Sequence, residues 1–271
     1  KELITATATG IERSNYGQWA DRTRRLGGAL NDLGIKESGR VGTFAWNTAR
    51  HLELYFAVPC SNRVLHTLNI RLFADQIVYI ANHAEDEVIF VDRSLMALLW
   101  PLVDQLETVR HFVVMDDGDG EIPDDPRVID YEELIAAAPA VDFEVRDEKQ
   151  AASMCYTSGT TGNPKGVVYS HRSTYMHTIT TMTTDGLGVC ESDVILPVVP
   201  MFHVNSWGLQ HAAVAAGATL VNPGPKLQAQ PIAELMESER VTIAAGVPTI
   251  WMGVLEELDG RDVSSLRAIP C

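Results

Sequence analysis

Ten residues, 157–166, combine the groups that bind a polyphosphate; they read Thr-Ser-Gly-Thr-Thr-Gly-Asn-Pro-Lys-Gly, and we call them the glycine loop. Glycines let backbone N–H groups close around an anion, hydroxyls add short-range donors, and a lysine supplies a mobile positive charge. A Walker A loop has Gly-Lys followed by Ser or Thr, whereas here Pro164 precedes Lys165 and Gly166 follows it. The pattern predicts a phosphate-binding loop of another kind, with an ordinary polar turn as the less specific interpretation.

A second candidate site lies at residues 197–208, Pro-Val-Val-Pro-Met-Phe-His-Val-Asn-Ser-Trp-Gly. His203 and Trp207 are four residues apart at the start of a predicted helix. Four residues make one helical turn, so we expect both rings to face the same cavity. A histidine there can contact a phosphoryl or carboxylate oxygen. Taken alone, His203 is more often a capping or core residue and Trp207 more often plain core, so the pair gains meaning only beside the glycine loop.

Short β-rich runs alternate with amphipathic stretches, which predicts an α/β fold of mostly parallel sheets covered by helices. The predicted strands are 41–46, 64–68, 88–92, 111–115, 152–157, 167–170, 194–199, 219–222, 242–245 and 266–269. The predicted helices are 49–58, 75–83, 94–106, 171–183, 206–215, 231–239 and 248–258. The glycine loop therefore lies between two strands, at the carboxyl edge of a sheet where α/β folds place ligands.

Two polar segments, 116–126 and 138–150, interrupt the alternation and are predicted connectors. The second one divides the chain into lobes 1–150 and 151–271. The sequence stops at Cys271 inside a predicted strand. We therefore expect 1–271 to be the N-terminal part of a longer protein, incomplete at its C-terminus.

Composition excludes some classes of function. The 271 residues are 46% hydrophobic, enough for a sizeable core. Lys and Arg number 21 against 36 Asp and Glu, a net charge of −15, so nucleic acid is not an expected partner. Arg22, Arg24 and Arg25 fit the solvated face of a helix.

Cysteine usage and hydropathy bear on location. Cys60, Cys155, Cys190 and Cys271 are scattered, which fits unpaired, mostly buried thiols in a reducing compartment. No apolar run approaches the ~20 residues of a membrane span. We expect a cytoplasmic protein.

These motifs together resemble a known family. Residues 156–172, which contain the glycine loop, resemble the AMP-binding signature of adenylate-forming enzymes, and Pro-Met-Phe-His at 200–203 is similar to the next core motif. Gly-Val-Pro-Thr at 246–249 is similar to the segment that lines the acyl pocket. The form His-Val-Asn-Ser-Trp most resembles bacterial medium- and long-chain fatty-acyl-CoA synthetases, and residues 52–58 and 64–69 look like the N-terminal lobe of that group.

The resemblance implies a reaction: a fatty carboxylate attacks the α-phosphorus of ATP, and the acyl-adenylate then acylates coenzyme A. Mg²⁺, lysine and aimed N–H donors lower the charge repulsion between the two anions. Cofactors and partners implied are ATP, Mg²⁺, coenzyme A and a fatty acid. A homodimer and peripheral membrane contact stay open.

The resemblance also implies roles for individual residues. Thr157 is expected to bind Mg²⁺ or phosphate, Lys165 to pair with departing pyrophosphate, and His203 to approach the α-phosphate and the substrate carboxylate. The remaining phosphate-binding positions implied are Ser158, Gly159, Thr160, Thr161 and Gly162. The remaining acid-binding positions implied are Trp207, as the aromatic gate of the acyl tunnel, and Val204 and Gly246 on its wall.

Three hypotheses follow. The first is the N-terminal part of an AMP-forming fatty acid:CoA ligase, inactive as a fragment because the family's later catalytic residues lie beyond Cys271. The second keeps the chemistry but takes an aryl or short-chain acid. The third is a non-catalytic scaffold or dimerisation piece with a vestigial nucleotide loop. His203 and His211 are eight residues apart without a completing carboxylate or cysteine, so a metal centre is not expected there.

Overall fold

The computed structural model describes residues 1–157 and 163–271; residues 158–162 of the glycine loop lie outside the description. The strands are β1 Glu2–Ala6, β2 Ile11–Asn15, β3 Arg40–Phe44, β4 Val64–Thr67, β5 Asp86–Asp92, β6 His111–Met115, β7 Val128–Asp130, β8 Ala151–Thr157, β9 Lys165–Ser170, β10 Val194–Pro197, β11 Thr219–Asn222 and β12 Ile243–Ala245. The α-helices are α1 Tyr16–Asp32, α2 Ala49–Cys60, α3 Ala74–Ala84, α4 Met96–Leu99, α5 Tyr131–Ala137, α6 His171–Met182, α7 Leu209–Ala216, α8 Ala229–Ser238 and α9 Pro248–Glu256.

The strands form two sheets, as the alternating pattern predicts. One sheet has the order β7-β6-β5-β3-β4-β8-β9 and the other β12-β10-β11-β1-β2. Neighbours are parallel except at one edge of each sheet, where β9 pairs antiparallel with β8 and β2 with β1. The prediction of a mostly parallel α/β fold is confirmed.

The sheets do not follow the proposed division into 1–150 and 151–271. β8 and β9 belong to the seven-stranded sheet formed mainly by the first 130 residues, while β1 and β2 join the strands near the other end of the chain. Sequence order is a poor guide here because parallel pairing joins strands that are distant along the chain. Each sheet therefore contains two strands from the other side of residue 150: β8 and β9 in the seven-stranded sheet, and β1 and β2 in the five-stranded sheet.

Helix α2 joins the two sheets into one core. Leu54 and Tyr55 pack with the seven-stranded sheet, while Leu52 and Phe56 pack with the five-stranded sheet. The helix begins at Thr48, whose hydroxyl accepts a hydrogen bond from the N–H of His51. Such an N-cap satisfies one of the unpaired amide groups of the first turn. Helix α2 thus fixes one sheet against the other directly beneath the candidate site.

Three local predictions were wrong. The helix predicted at 94–106 contains only the single α-turn Met96–Leu99, flanked by 3₁₀ turns, because Pro101 supplies no N–H and fixes a tight turn. The strand predicted at 266–269 is reduced to an isolated bridge between Ala268 and Ile243. Arg22 is not on a solvated face: it lies in a partly buried ion-pair group with Glu53 and Glu132.

The cysteine prediction holds in part. All four thiols are free, but Cys190 and Cys271 are exposed, so burial applies to Cys155 and partly to Cys60. Among the described residues, no helix combines the length and apolarity that crossing a membrane requires.

Candidate active site

The glycine loop closes the β8–β9 hairpin. Thr157, the last residue of β8, pairs directly with Lys165, the first residue of β9. Directly opposed residues in an antiparallel ladder place their Cβ atoms about 4.5–5.5 Å apart. Both residues are exposed. The structure therefore holds a hydroxyl and an ammonium side by side at the base of the loop, with residues 158–162 outside the description.

The two faces of β8 have different surroundings. Ser153, Cys155 and Thr157 share one face because side chains alternate along a strand. Met154 and Tyr156 occupy the other face and pack in the core with Phe202. The hydroxyl of Tyr156 also lies 2.6 Å from Nδ1 of His83. The buried face thus anchors the strand that carries Thr157.

An apolar cavity of about 410 Å³ lies on the Ser153 face of the hairpin, and we call it the outer cavity. It is lined by Ser153, Tyr169, Ser173, Thr174, His177, Val204, Asn205, Trp207, Gly208 and His211. Val204 and Trp207 both lie on this wall. His203 is exposed and does not line it, so the expectation that both rings face one cavity was wrong.

A second, inner cavity of about 250 Å³ adjoins the outer one and shares Ser153, Thr174 and His211 with it. Its further lining comes mainly from α2, α6 and α7, including Phe56, Cys60, Tyr175, Val214 and Ala215. Its volume holds about eight methylene-sized groups at ~30 Å³ each, the share of one liquid water. The two cavities therefore share one wall, and the inner cavity also reaches the surface, where Tyr175 and Ala215 are exposed.

His211 adds no charge to the wall that the two cavities share. Burial, with a smaller contribution from nearby His177, lowers the pKa of His211 to about 4. Burial also lowers the pKa of His171 on the inner wall. Because the neutral form dominates well above such a pKa, the His211 ring adds an aromatic rather than a cationic surface at neutral pH.

His203 and Trp207 do not face the same cavity because the backbone between them is not a right-handed helix. Val204, Asn205, Ser206 and Trp207 have φ angles of 47°, 45°, 50° and 53°, and Gly208 follows with φ 69°. We call residues 204–208 the left-handed turn. A right-handed helix was predicted from residue 206, but α7 begins only at Leu209. Outside glycine, this conformation costs roughly 1–2 kcal/mol per residue, so neighbouring contacts must hold it.

The core side of the left-handed turn is held by hydrogen bonds. Asn205 accepts from the hydroxyl of Thr67 at 3.2 Å and donates to the hydroxyl of Ser153 at 3.0 Å. Ser206 donates to the carbonyl of Val199 at 2.7 Å and accepts from Gln210 at 3.0 Å. Strained backbone of this kind persists only where surrounding structure fixes it, and it is frequent at functional sites.

The approach to His203 is fixed by a buried amide, Asn47, which follows β3. Its Nδ2 donates to the carbonyls of Pro197 and Val199 at 2.8 and 2.9 Å. Its Oδ1 accepts from the N–H of Met201 at 2.7 Å. One side chain from the seven-stranded sheet therefore binds the whole segment that leaves β10 and leads to His203.

Gly246 lies near the left-handed turn but makes none of the hydrogen bonds that hold it. It is buried at the end of β12, and its carbonyl accepts a hydrogen bond from Nε1 of Trp251 at 2.9 Å. A Cβ at this position would come within 2.8 Å of the Trp251 ring. Its neighbour Ala245 packs in the same small cluster as Trp207. Gly246 thus adjoins the Trp207 cluster through its neighbour Ala245 and does not line either cavity.

The donors available for Mg²⁺ are oxygen atoms at the hairpin. In the part of the chain that the structure describes, no three His, Cys, Asp or Glu side chains gather as a metal site. Mg²⁺ prefers oxygen ligands and is often held by few protein groups together with substrate phosphates. The exposed hydroxyl of Thr157, beside Lys165, fits such an arrangement, with the phosphates supplying the other oxygens.

Sequence inspection missed most of the cavity wall. Tyr169, Thr174 and His177 were not predicted, and His211 was considered only as a metal ligand. The signal that was available is helix α6, whose sequence His-Arg-Ser-Thr-Tyr-Met-His-Thr-Ile-Thr-Thr-Met follows the hairpin directly. A helix that closes over a strand-loop-strand unit presents one row of side chains to it, and here that row lines the outer cavity.

The fold and this site define a class of protein. The chain belongs to the AMP-binding enzyme family, which matches residues 3–271. Among similar proteins is the 3-methylmercaptopropionyl-CoA ligase of Ruegeria lacuscaerulensis, 46% identical over 94% of this chain and 48% of the relative. The medium-chain-fatty-acid–CoA ligase of Ectopseudomonas oleovorans is 43% identical over 98% of this chain and 49% of the relative. The long-chain-fatty-acid–CoA ligase of Thermus thermophilus is 44% identical, with 99% and 49% covered.

The fold is also similar to solved structures. A crystal structure of an anthranilate CoA ligase in complex with anthranoyl-AMP superimposes with a TM-score of 0.83 at 22% identity, covering 98% of this chain and 51% of that chain. The chain spans about half the length of the curated relatives it matches.

Proposed function

We propose that the full-length protein is an AMP-forming acid–CoA ligase and that residues 1–271 carry its phosphate loop and acid pocket. The favoured substrate is a medium- or long-chain fatty acid. The observation that carries this proposal is the shared hairpin: Thr157 and Lys165 lie at its tip, and Ser153 and Tyr169, also paired across it, line the outer cavity. The two pairs are four residue steps apart along each strand, about 13 Å at ~3.3 Å per residue.

On the nucleotide side, the chain supplies positive charge and oxygen ligands. The ammonium of Lys165 would pair with the phosphates and with pyrophosphate as it leaves. The hydroxyl of Thr157 would hold Mg²⁺, which neutralises phosphate charge when bound. The glycine loop, including residues 158–162, would add backbone donors to the β- and γ-phosphates. Each of these contacts would stabilise the negative charge that accumulates on the phosphate oxygens when the carboxylate attacks the α-phosphorus.

On the acid side, the outer cavity would hold the alkyl chain. Its apolar lining and the neutral ring of His211 favour a hydrocarbon over a charged ligand. His203 is exposed and directly precedes the left-handed turn, whose residues Val204 and Trp207 line that cavity. It would hold the substrate carboxylate near the α-phosphate. Trp207 and Val204 would shape the entrance, and Gly246 would support it through Ala245.

Several further features are proposed with this function. Coenzyme A would receive the acyl group in the second step, and residues outside 1–271 would supply the rest of the site. We also propose a cytoplasmic location. A homodimer and peripheral contact with a membrane are compatible with a fatty substrate.

The test is pyrophosphate release by the full-length protein with a series of acids from two to sixteen carbons, with ATP and Mg²⁺ present. We expect release to rise with chain length and to fall strongly in Lys165→Met. Lys149→Met, at an exposed lysine in the connector before β8, is the matched control. Absence of release with every acid would refute the proposal.

An aryl or short-chain acid is the second candidate, and the 46% identity to a 3-methylmercaptopropionyl-CoA ligase favours the short chain. Trp207→Ala separates the two. For a long-chain ligase we expect the preferred chain length to shift, because the indole lines the outer cavity. For a short-chain ligase the preference should stay unchanged.

A further inference from the structure

The carbonyl of Trp207 is bound by a side chain from a different element. His177 of α6 donates its Nε2–H to this carbonyl at 2.9 Å. Its side chain also lines the outer cavity and is exposed there. A histidine that holds the backbone of one wall residue while forming part of the wall itself can set the shape of that wall.

The imidazole also lies against the next residue. A Cβ built on Gly208 would fall 2.5 Å from Cδ2 and 2.9 Å from Nε2 of His177. Gly208 adopts φ 69°, which disfavours any other residue. The ring and the Trp207–Gly208 backbone are therefore packed together so closely that neither leaves room for a side chain at 208.

The remaining restraints act on other residues of the left-handed turn. Asn205 is held by Thr67 and Ser153, and Ser206 by Val199, all on the core side. Trp207 is the last non-glycine residue of the turn and is partly exposed. Because a left-handed backbone is unfavourable for such residues, the end of the turn needs its own restraint, and His177 provides one.

We propose that His177 is a positioning residue that holds the left-handed turn and thereby fixes the indole of Trp207 on the wall of the outer cavity. This inference rests on the proposed function, in which that cavity receives the acid. Without the imidazole, the Trp207 end of the turn relaxes and the wall loses its fixed shape. The acid then binds more weakly and with less discrimination by length. The nucleotide side is unaffected, because Thr157 and Lys165 are held by the hairpin.

The kinetic test uses the full-length protein and separates the two substrates. In His177→Ala we expect the KM for the preferred acid to rise about five-fold, the effect of losing one ordinary hydrogen bond, with the KM for ATP unchanged. His177→Gln keeps a donor at a similar reach and should restore the acid KM to within about two-fold of the original. Met176→Ala, at the exposed neighbour in α6, is the control. An unchanged acid KM, an equal rise for ATP, or no rescue by Gln would overturn the proposal.

A double-mutant cycle tests the packing against Gly208. Gly208→Ala introduces the Cβ that meets the ring. Combined with His177→Ala, the effects on the acid KM should be clearly less than additive, because the ring no longer opposes the new methyl group. Strict additivity would contradict a shared contact.

A spectroscopic measurement decides the inference without any substrate. The fluorescence of Trp207 is obtained as the difference between each protein and its Trp207→Phe counterpart, and its quenching by acrylamide is measured. We expect greater quenching in His177→Ala and original quenching in His177→Gln. If no acid gives pyrophosphate, the proposed function fails while this measurement still tests His177. Unaltered quenching in His177→Ala refutes the positioning role, whatever the enzyme activity.

Discussion

Asn47 offers a direct test of how the site is held, because one buried amide binds three backbone groups of the segment leading to His203. The Asn47→Ala variant removes all three hydrogen bonds and leaves the carbonyls of Pro197 and Val199 and the N–H of Met201 without this partner. Each net hydrogen bond is worth about 1 kcal/mol, and a buried group left unsatisfied costs up to ~3 kcal/mol. We expect a loss of about 3–5 kcal/mol in unfolding free energy.

The assay is urea denaturation followed by circular dichroism, with the midpoint and slope compared between variants. Asn69→Ala is the matched control, since its side chain accepts one exposed hydrogen bond from the N–H of Arg71; it should cost under about 1 kcal/mol. Pyrophosphate release should also fall in Asn47→Ala, because the position of His203 depends on the same segment.

The Asn47→Asp variant tests the direction in which stability changes with pH. The substitution keeps the acceptor for Met201 but turns a carboxylate oxygen toward two carbonyls. Without a cation to compensate, that carboxyl would have a raised pKa, so its destabilising effect should grow as pH rises and shrink as pH falls. The reasoning is refuted if Asn47→Ala costs no more than Asn69→Ala, or if Asn47→Asp is as stable as the original protein at neutral pH.

Two further predictions concern the five-stranded sheet and the inner cavity. Burial alone would raise the pKa of Asp193, but hydrogen bonds from Arg267, Thr242 and the N–H of Cys190 outweigh it and hold the pKa well below its usual range. Asp193→Asn should therefore lower stability by about 1–2 kcal/mol at pH 7, allowing for the partly exposed arginine. Because the folded-state pKa of Asp193 is depressed, the difference should be full above the unfolded pKa of about 4, shrink progressively below it, and disappear only as pH falls through the lower folded-state pKa. Ala215→Leu should shorten the longest acid that the full-length protein activates, because Ala215 lines the inner cavity. Ala136→Leu, on the exposed side of α5, should not; equal chain-length profiles in both variants would exclude the inner cavity from acid binding.

The α/β class followed from the sequence because buried parallel strands leave an unmistakable pattern. Strand β6 was predicted with its observed bounds, since its five mostly apolar residues are too few for a helix and fit a buried strand. The partner of each strand could not be predicted. That β1 joins β11, more than two hundred residues away, depends on packing through α2 and not on any local signal.

Sequence inspection singled out the polar residues of the candidate site and missed most of the cavity wall. A glycine-rich stretch with Lys165 has few alternative uses, so composition alone made the loop a phosphate-site candidate. Trp207 was placed in a helix because four-residue spacing favours one, yet the backbone there is left-handed. Tertiary hydrogen bonds to Asn205 and Ser206 outweigh local preference, and those partners lie up to 138 residues distant in sequence. Periodicity contains no information about such bonds.

The placement of the glycine loop on an edge hairpin has a mechanical consequence. Strand β9 shares a ladder with β8, and the sheet order gives it no second neighbour among the described strands. Opening an outer strand breaks one set of hydrogen bonds, whereas moving β3 would break two. Local opening energies are lowest where few contacts must separate. Strand β9 can therefore open while the parallel strands beyond β8 stay paired, and because Tyr169 of β9 lines the outer cavity, such an opening would also change the wall of that cavity.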